Sequence, residues 1–321
     1  MPIVTGQLQT TAITGKPRDL SDTLNRVFPK DTPFYSMIGT AGEATQTLHE
    51  WTKEKINDPQ DNAQVEGFTV TDFEENIAAE LNNRTQIFTK AISVSRSAQG
   101  IKQAGVNNQY IHQMSNRMLE IKKDAEYALI GNSIDQAGAG ASPRRMRGLA
   151  AWITTNVSLG AGGAVADATN PATPGTLRPL THDLIADMMQ AAYEQGGNPS
   201  TLMSSPAVRR KVTEVLKAIN EQQEDAKSKK ATDTIKIYDS DFGELSIMAN
   251  RVQARVPYSQ NCLFGIDEQY WKKSFLTNGN WKEEKLAKTG DSDKGFIVGE
   301  FTLEARAEEA SFMIADIDPA A

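Results

Sequence analysis

Between Asn107 and Gly131, apolar residues recur at three- and four-residue intervals: Ile111, Met114, Met118, Ile121, Ala125 and Ala128. That spacing draws one stripe down a helix. Gln113, Asn116, Arg117, Glu120, Lys122, Lys123 and Asp124 fill the other faces, and Gly131 is a residue that commonly stops helices. At 1.5 Å per residue, about 24 residues reach about 36 Å, so the pattern predicts a spine crossing a whole domain.

Residues 1–45 show little periodicity apart from a short amphipathic helix at Asp19–Phe28 and one apolar patch, Thr32-Pro33-Phe34-Tyr35-Ser36-Met37-Ile38-Gly39. Such a segment buries too little surface by itself to offset its ordering entropy, which predicts an arm docked through the patch. Residues 46–95 predict a two-stranded excursion, with an outgoing strand in TLHEWTKEK, a polar acidic tip, and Arg84–Ser95 as the return strand. A ribbon of two strands is marginal in water and needs a surface to lie on.

After a Gly- and Ala-rich surface loop, a compact α+β unit begins near Leu180. Thr181 caps a helix carrying Leu184, Ile185, Met188, Met189, Ala192 and Tyr193; a short strand, TLMSS, follows. Ser205-Pro206 then opens a helix carrying Val208, Val212, Val215, Leu216 and Ile219. A hairpin of 234–238 with 244–252 and a strand at 261–266 complete the unit. Near the end, 281–287 and 296–307 predict a hairpin whose Phe301, Leu303 and Ala305 face a core while Thr302, Glu304 and Arg306 face water. Phe312, Ile314 and Ile317 continue the dry side, and these strands are expected to flank the spine.

Composition narrows the function classes. With 34 basic and 41 acidic residues the net charge is −7, which argues against a protein whose main business is gripping phosphates. The single cysteine, Cys262, excludes an internal disulfide framework and Cys-based zinc clusters and reads as a buried small hydrophobe. The first 15 residues lack a signal-peptide pattern, and no run of 18 apolar residues predicts a membrane span.

No motif carries catalysis. His49, His112 and His182 share no ligand spacing, and GAGGA lacks the Gly-Lys-Ser/Thr of a phosphate loop. Asp241-Phe242-Gly243 stands without the other kinase motifs and reads as a turn. The segment starting at Asp291 lacks the glycine and glutamate a calcium loop requires, since Phe296 and Thr302 occupy those positions. No catalytic, cofactor-binding or metal-binding residue is assigned.

The order of segments resembles the HK97-type major capsid fold, in the branch found in SU10-like tailed phages. The resemblance rests on TPFYSMIG (32–39), Trp51, RTQIFTKAISVS (84–95), KKDAEYALIGN (122–132), GLAAWI (148–153), YDSDFGELSIMANR (238–251) and, most specifically, LAKTGDSDKGFIVGEFTLE (286–304). Ser95-Arg96-Ser97 departs from the small residues expected at the junction into the spine.

The resemblance implies an α+β, HK97-like phage capsid fold. Residues 1–45 would be the N-arm, 46–95 the E-loop, 96–147 with 281–321 the peripheral domain containing the spine, and 148–280 the axial domain. It implies a non-enzymatic shell subunit without cofactors, forming hexamers and pentamers around double-stranded DNA held without sequence specificity. The virion would be its location, after assembly in the host cytoplasm. Separate scaffolding, portal and decoration proteins would be partners, and no membrane is involved. Phe34, Tyr35, Trp51, Phe68 and Phe73 are the expected inter-subunit contacts. Lys53 and Lys55 fall in the E-loop, where some members of the wider fold cross-link, but no matching asparagine or carboxylate motif accompanies them. Two competing readings remain: an encapsulin-like compartment of the same fold, and a soluble enzyme without a recognisable motif.

Overall fold

The spine forms from Gln109 to Leu129, and the side chain of Asn108 accepts a hydrogen bond from Ile111 N at 3.1 Å to cap it. Its buried face consists of Tyr110, Met114, Ile121, Ala125, Glu126 and Leu129. The stripe is therefore rotated from the expected one, because Ile111 is 64% exposed and Tyr110 takes its place. A glycine in the covering sheet accommodates Tyr110: a Cβ on Gly295 would lie 2.1 Å from the Tyr110 hydroxyl, so the glycine leaves room for that end of the side chain.

The computed structural model describes residues 31–70, 73, 75–101, 103, 106–220, 237–288 and 290–320; the helix expected at Asp19–Phe28 lies outside them. In chain order the first elements are α1 (Pro33–Met37), β1 (Gly39–Thr40), β2 (Leu48–Lys53), β3 (Ala79–Arg84), β4 (Gln86–Ser95), α2 (Arg96–Gly100) and the spine, α3. Next come α4 (Leu149–Trp152), β5 (Val157–Ser158), α5 (His182–Glu194), β6 (Thr201–Ser204), α6 (Pro206–Asn220), β7 (Ile237–Ser240) and β8 (Gly243–Ala249). The last are β9 (Leu263–Ile266), β10 (Trp271–Phe275), β11 (Lys282–Lys285), β12 (Ser292–Ala305) and β13 (Phe312–Ile314).

Among the described residues the long strand β12 organises one sheet. Along one edge it pairs antiparallel with β4, and along the other with β11 and then β10, which in turn takes β1. Phe88, Ile92 and Val94 of β4 and Ile297 of β12 share a core with the α3 stripe, so β12 flanks the spine as expected and β4, expected in the ribbon, joins it there. The junction that departed from expectation has a local role: Ser95 caps α2, its hydroxyl accepting from Ala98 N at 3.2 Å.

A second sheet runs β5-β13-β9-β6-β8-β7. Alternate residues of its central strands point to opposite sides. Leu202, Leu263, Phe312 and Ile314 join Ile185 and Met189 of α5 and Val208 and Val212 of α6. Met203, Phe264, Ile266 and Met313 join the spine core instead. Being buried on both faces, this sheet ties the α+β unit to the spine rather than leaving it separate.

Three expectations change. Arg84–Ser95 does not return the ribbon: β2 pairs with β3, and β4 belongs to the β12 sheet. The expected boundaries also move, since β10 lies in the spine-covering sheet and β13 in the second one. Thr302 and Glu304, expected to be wet, are buried because the root of the ribbon lies over that part of β12.

The chain leaving the spine returns against it at Gly148, where a Cβ would lie 2.3 Å from Gly131 O and 2.9 Å from Ala128 O. Both contacts are backbone and cannot swing aside. Gly148→Ala is therefore expected to destabilise the protein by about 1–3 kcal/mol, read as a lower melting temperature.

Candidate functional site

Two polar assemblies join distant parts of the chain, and one exposed segment remains uncovered. The first assembly seats the ribbon. Trp51 Nε1 donates to Ala305 O at 2.9 Å, and its ring lies against Trp152 with centroids 5.7 Å apart. Asn83 has no exposed surface; its amide donates to Leu303 O at 2.8 Å, and its carbonyl accepts from Arg147 N at 2.8 Å. The Arg147 guanidinium sits 4.7 Å from the Trp152 ring centroid. His49 Nε2 lies 3.3 Å from Glu304 Oε2, and Lys53 pairs with Glu309. Burial pushes the Glu304 carboxyl up, but hydrogen bonds from His49 and Arg306 outweigh it, and its net shift is below the ordinary range.

The second assembly centres on Glu126, a fully buried carboxylate on the spine. Its oxygens accept from Phe34 N at 2.9 Å, Tyr35 N at 2.6 Å and Asn250 Nδ2 at 2.5 Å. Thr32 makes no side-chain cap on α1, so the spine supplies the acceptor for the first-turn amides of another helix. Lys273 completes the set: its ammonium donates to Tyr35 O at 2.8 Å and Ile38 O at 3.1 Å and lies 4.2 Å from the Tyr35 ring centroid. Burial raises the Glu126 carboxyl above its ordinary value; the amides, Asn250 and the charge of Lys273 pull it back only in part. Close by, Ser259 Oγ donates to Ile130 O at 2.7 Å at the end of the spine. It follows a tight turn in which Tyr258 takes φ 70° and ψ −63°, with Ser259 N bonded to Pro257 O at 2.9 Å.

The expected contact residues separate. Phe34 is fully buried in its own chain, edge-on to Trp271 at 6.3 Å, so it offers nothing to a neighbour; the docking patch docks on its own spine. Tyr35 accepts from Trp281 Nε1 at 2.8 Å, and Trp51 is engaged as above. Phe68 and Phe73 remain exposed on the ribbon tip, the latter at 84%. Sequence reasoning missed Glu126, Asn250, Asn83 and Lys273. For Glu126 a signal existed: it lies next to Ala125 and three residues before Leu129, inside the buried arc. Among the described residues no group of three His, Cys, Asp or Glu side chains is placed to hold a metal ion.

This architecture is the HK97-like fold of phage capsid proteins. A chain of the cyanophage A-1(L) capsid aligns over 98% of this chain and 99% of its own, with TM-score 0.64 and 14% identity. A chain from Gordonia phage Cozz aligns over 98% and 96%, with TM-score 0.60 and 12% identity. The SrpI encapsulin of Synechococcus elongatus aligns over 96% and 94%, with TM-score 0.55 and 8% identity. The family model for the SU10 major capsid protein matches residues 3–318, and the chain belongs to that family. It is 31% identical over 117 residues to the major capsid protein of Escherichia phage Phieco32, a stretch covering 36% of this chain and 33% of that relative.

Proposed function

We propose that this chain is the shell subunit of a tailed-phage head, assembling as hexamers and pentamers into an icosahedral capsid around double-stranded DNA. The ribbon carries this reading. Its root is fastened to its own sheet, whereas Ile56, Val65, Phe68, Val70, Phe73 and Ile77 on its tip are exposed. Apolar exposure of that extent marks a protein interaction surface, and neighbouring copies in a closed shell would cover it. Phe68 and Phe73 are its proposed contacts.

In this reading residues 1–45 are the arm and 46–95 the E-loop. The peripheral domain keeps 96–147 with most of 281–321 and gains β10, while the axial domain keeps 148–280 without β10 and gains β13. The subunit acts by assembly, without catalysis, and resides in the virion after assembly in the host cytoplasm. Scaffolding, portal and decoration proteins are separate chains, and the net charge of −7 suits a container that holds DNA without gripping it.

The test is electron microscopy of the purified protein under assembly conditions. Closed shells or sheets of hexamers are expected, and a monodisperse monomer under every condition overturns the reading. The likeness to SrpI supports a second reading, a compartment for protein cargo. Particles holding an enzyme in place of nucleic acid would favour it.

A further inference from the structure

The sheet organised by β12 has an open side. β4 pairs with β12 from Gln86 to Ser95, and among the described residues nothing pairs with its other edge. Backbone groups in an antiparallel pair point alternately to the two sides, so roughly half of the N–H and C=O groups of β4 face away from β12. Such an edge is a template for a further strand. Its sequence does not guard it: Gln86–Ser95 has no proline, and its one charged residue, Lys90, reaches Asp124 on the spine at 2.7 Å.

A groove of about 670 Å³ runs along that edge. Five consecutive residues, Ala91 to Ser95, line it, although successive side chains of a strand point to opposite faces; the groove therefore follows the backbone edge and not one face of the sheet. The spine adds Gln109, Gln113 and Arg117, and Ile101, 68% exposed, adds an apolar lip. Arg117 is the one charged residue among the described lining, and it is paired with Glu120. An incoming charge would find no counter-charge there, so the groove suits an extended, uncharged polypeptide.

This chain carries one outside its described residues. Residues 1–15, MPIVTGQLQTTAITG, have no charged side chain, and seven of them are β-branched. Residues 221–236, which also lie outside, are half charged. We infer that residues 1–15 occupy this groove of their own chain as a further strand on the free edge of β4. The reach is sufficient. Glu126 fixes the first turn of α1 on the spine, and from there back to Gln113 is about 20 Å at 1.5 Å per residue. The fifteen residues 16–30 span up to about 50 Å when extended. A tether fixed on the same spine also holds the segment near its groove at an effective concentration of about millimolar, which favours the chain's own strand over that of a second copy. The N-terminal residues then act as a guard, closing an edge open to any other extended segment.

The test places the photo-crosslinker p-benzoylphenylalanine at Ser93 of the full chain, mixes isotopically light and heavy subunits, and maps crosslinks by mass spectrometry. Crosslinks to residues 1–15 joining light to light and heavy to heavy are expected. Light-to-heavy crosslinks, crosslinks elsewhere, or none at all overturn the inference; Gln113 takes the probe if the Ser93 variant does not fold. In parallel, deleting residues 2–15 is expected to speed amide exchange at the outward-facing amides of 91–95 by about tenfold while α5 and α6 keep their protection. Unchanged exchange at 91–95 overturns the inference. Should the deletion also unfold α5 and α6, Thr10→Pro with Ile13→Pro gives the same readout. The odd spacing of these two positions ensures that one proline removes an amide facing β4.

Discussion

Glu126→Ala is expected to destabilise the protein by about 3–5 kcal/mol, measured by denaturant unfolding, because it strands several groups at once. Phe34 N, Tyr35 N and Asn250 Nδ2 would each lose their acceptor, and Lys273 would lose its buried counter-charge. Water cannot readily replace a carboxylate that has no exposed surface. The damage should concentrate where the lost bonds were, so amide exchange in α1 should accelerate more than exchange in α5 or α6. Glu126→Gln tests the charge separately. The amide keeps one acceptor oxygen but turns an NH2 group toward a donor, so a smaller loss of about 1–3 kcal/mol is expected.

Titration gives a second readout of the same group. The folded pKa of Glu126 lies above its ordinary value of 4.5, so the folded state binds a proton that the unfolded state releases across the interval between the two. Stability therefore falls as pH rises from 4.5 through the folded value, and this contribution is absent from Glu126→Gln. A wild-type minus Glu126→Gln difference that rises with pH over that interval would contradict the assignment.

Local features of this fold are written in the chain at short range. Thr181 caps α5 through Leu184 N at 3.4 Å, and Ser205 Oγ accepts from Val208 N at 3.4 Å to open α6, both where residue type and spacing place them. Strand partners are a different matter. The alternation in Arg84–Ser95 declares an extended segment, but its pairing with β12 joins residues some two hundred positions apart, and periodicity holds no information about that choice. The same limit hides the transfer of β10 and β13 between the sheets.

Burial of Thr302 and Glu304 depends on a further layer. Alternation along β12 makes one face polar, yet the ribbon root covers that face, and Glu304 finds His49 and Arg306 there. The candidate contacts were legible only where exposure follows from local composition, as at Phe68 and Phe73 in their acidic surroundings. Phe34 lies in an equally apolar patch, but a spine carboxylate holding the amides of α1 draws it into its own core. That outcome depends on Glu126, 92 positions away.

Ile121→Asp is expected to abolish folding altogether. Ile121 is fully enclosed within the core shared by α3 and the β4–β12 sheet. Losing its buried hydrocarbon costs about 2–5 kcal/mol, and enclosing a carboxylate without a partner adds several more. Together these rival the roughly 5–15 kcal/mol that keeps a typical domain folded. Insoluble expression, or a soluble chain without a cooperative melt, is the expected observation. Ile111→Asp is the matched control: the same substitution on the same helix, at a side chain that is 64% exposed, should shift stability by no more than about 0.5 kcal/mol. Helix propensity is equally affected in both, so the contrast isolates burial. Equal melting temperatures for the two variants would mean that the sheet does not enclose the spine along Tyr110, Met114, Ile121 and Ala125.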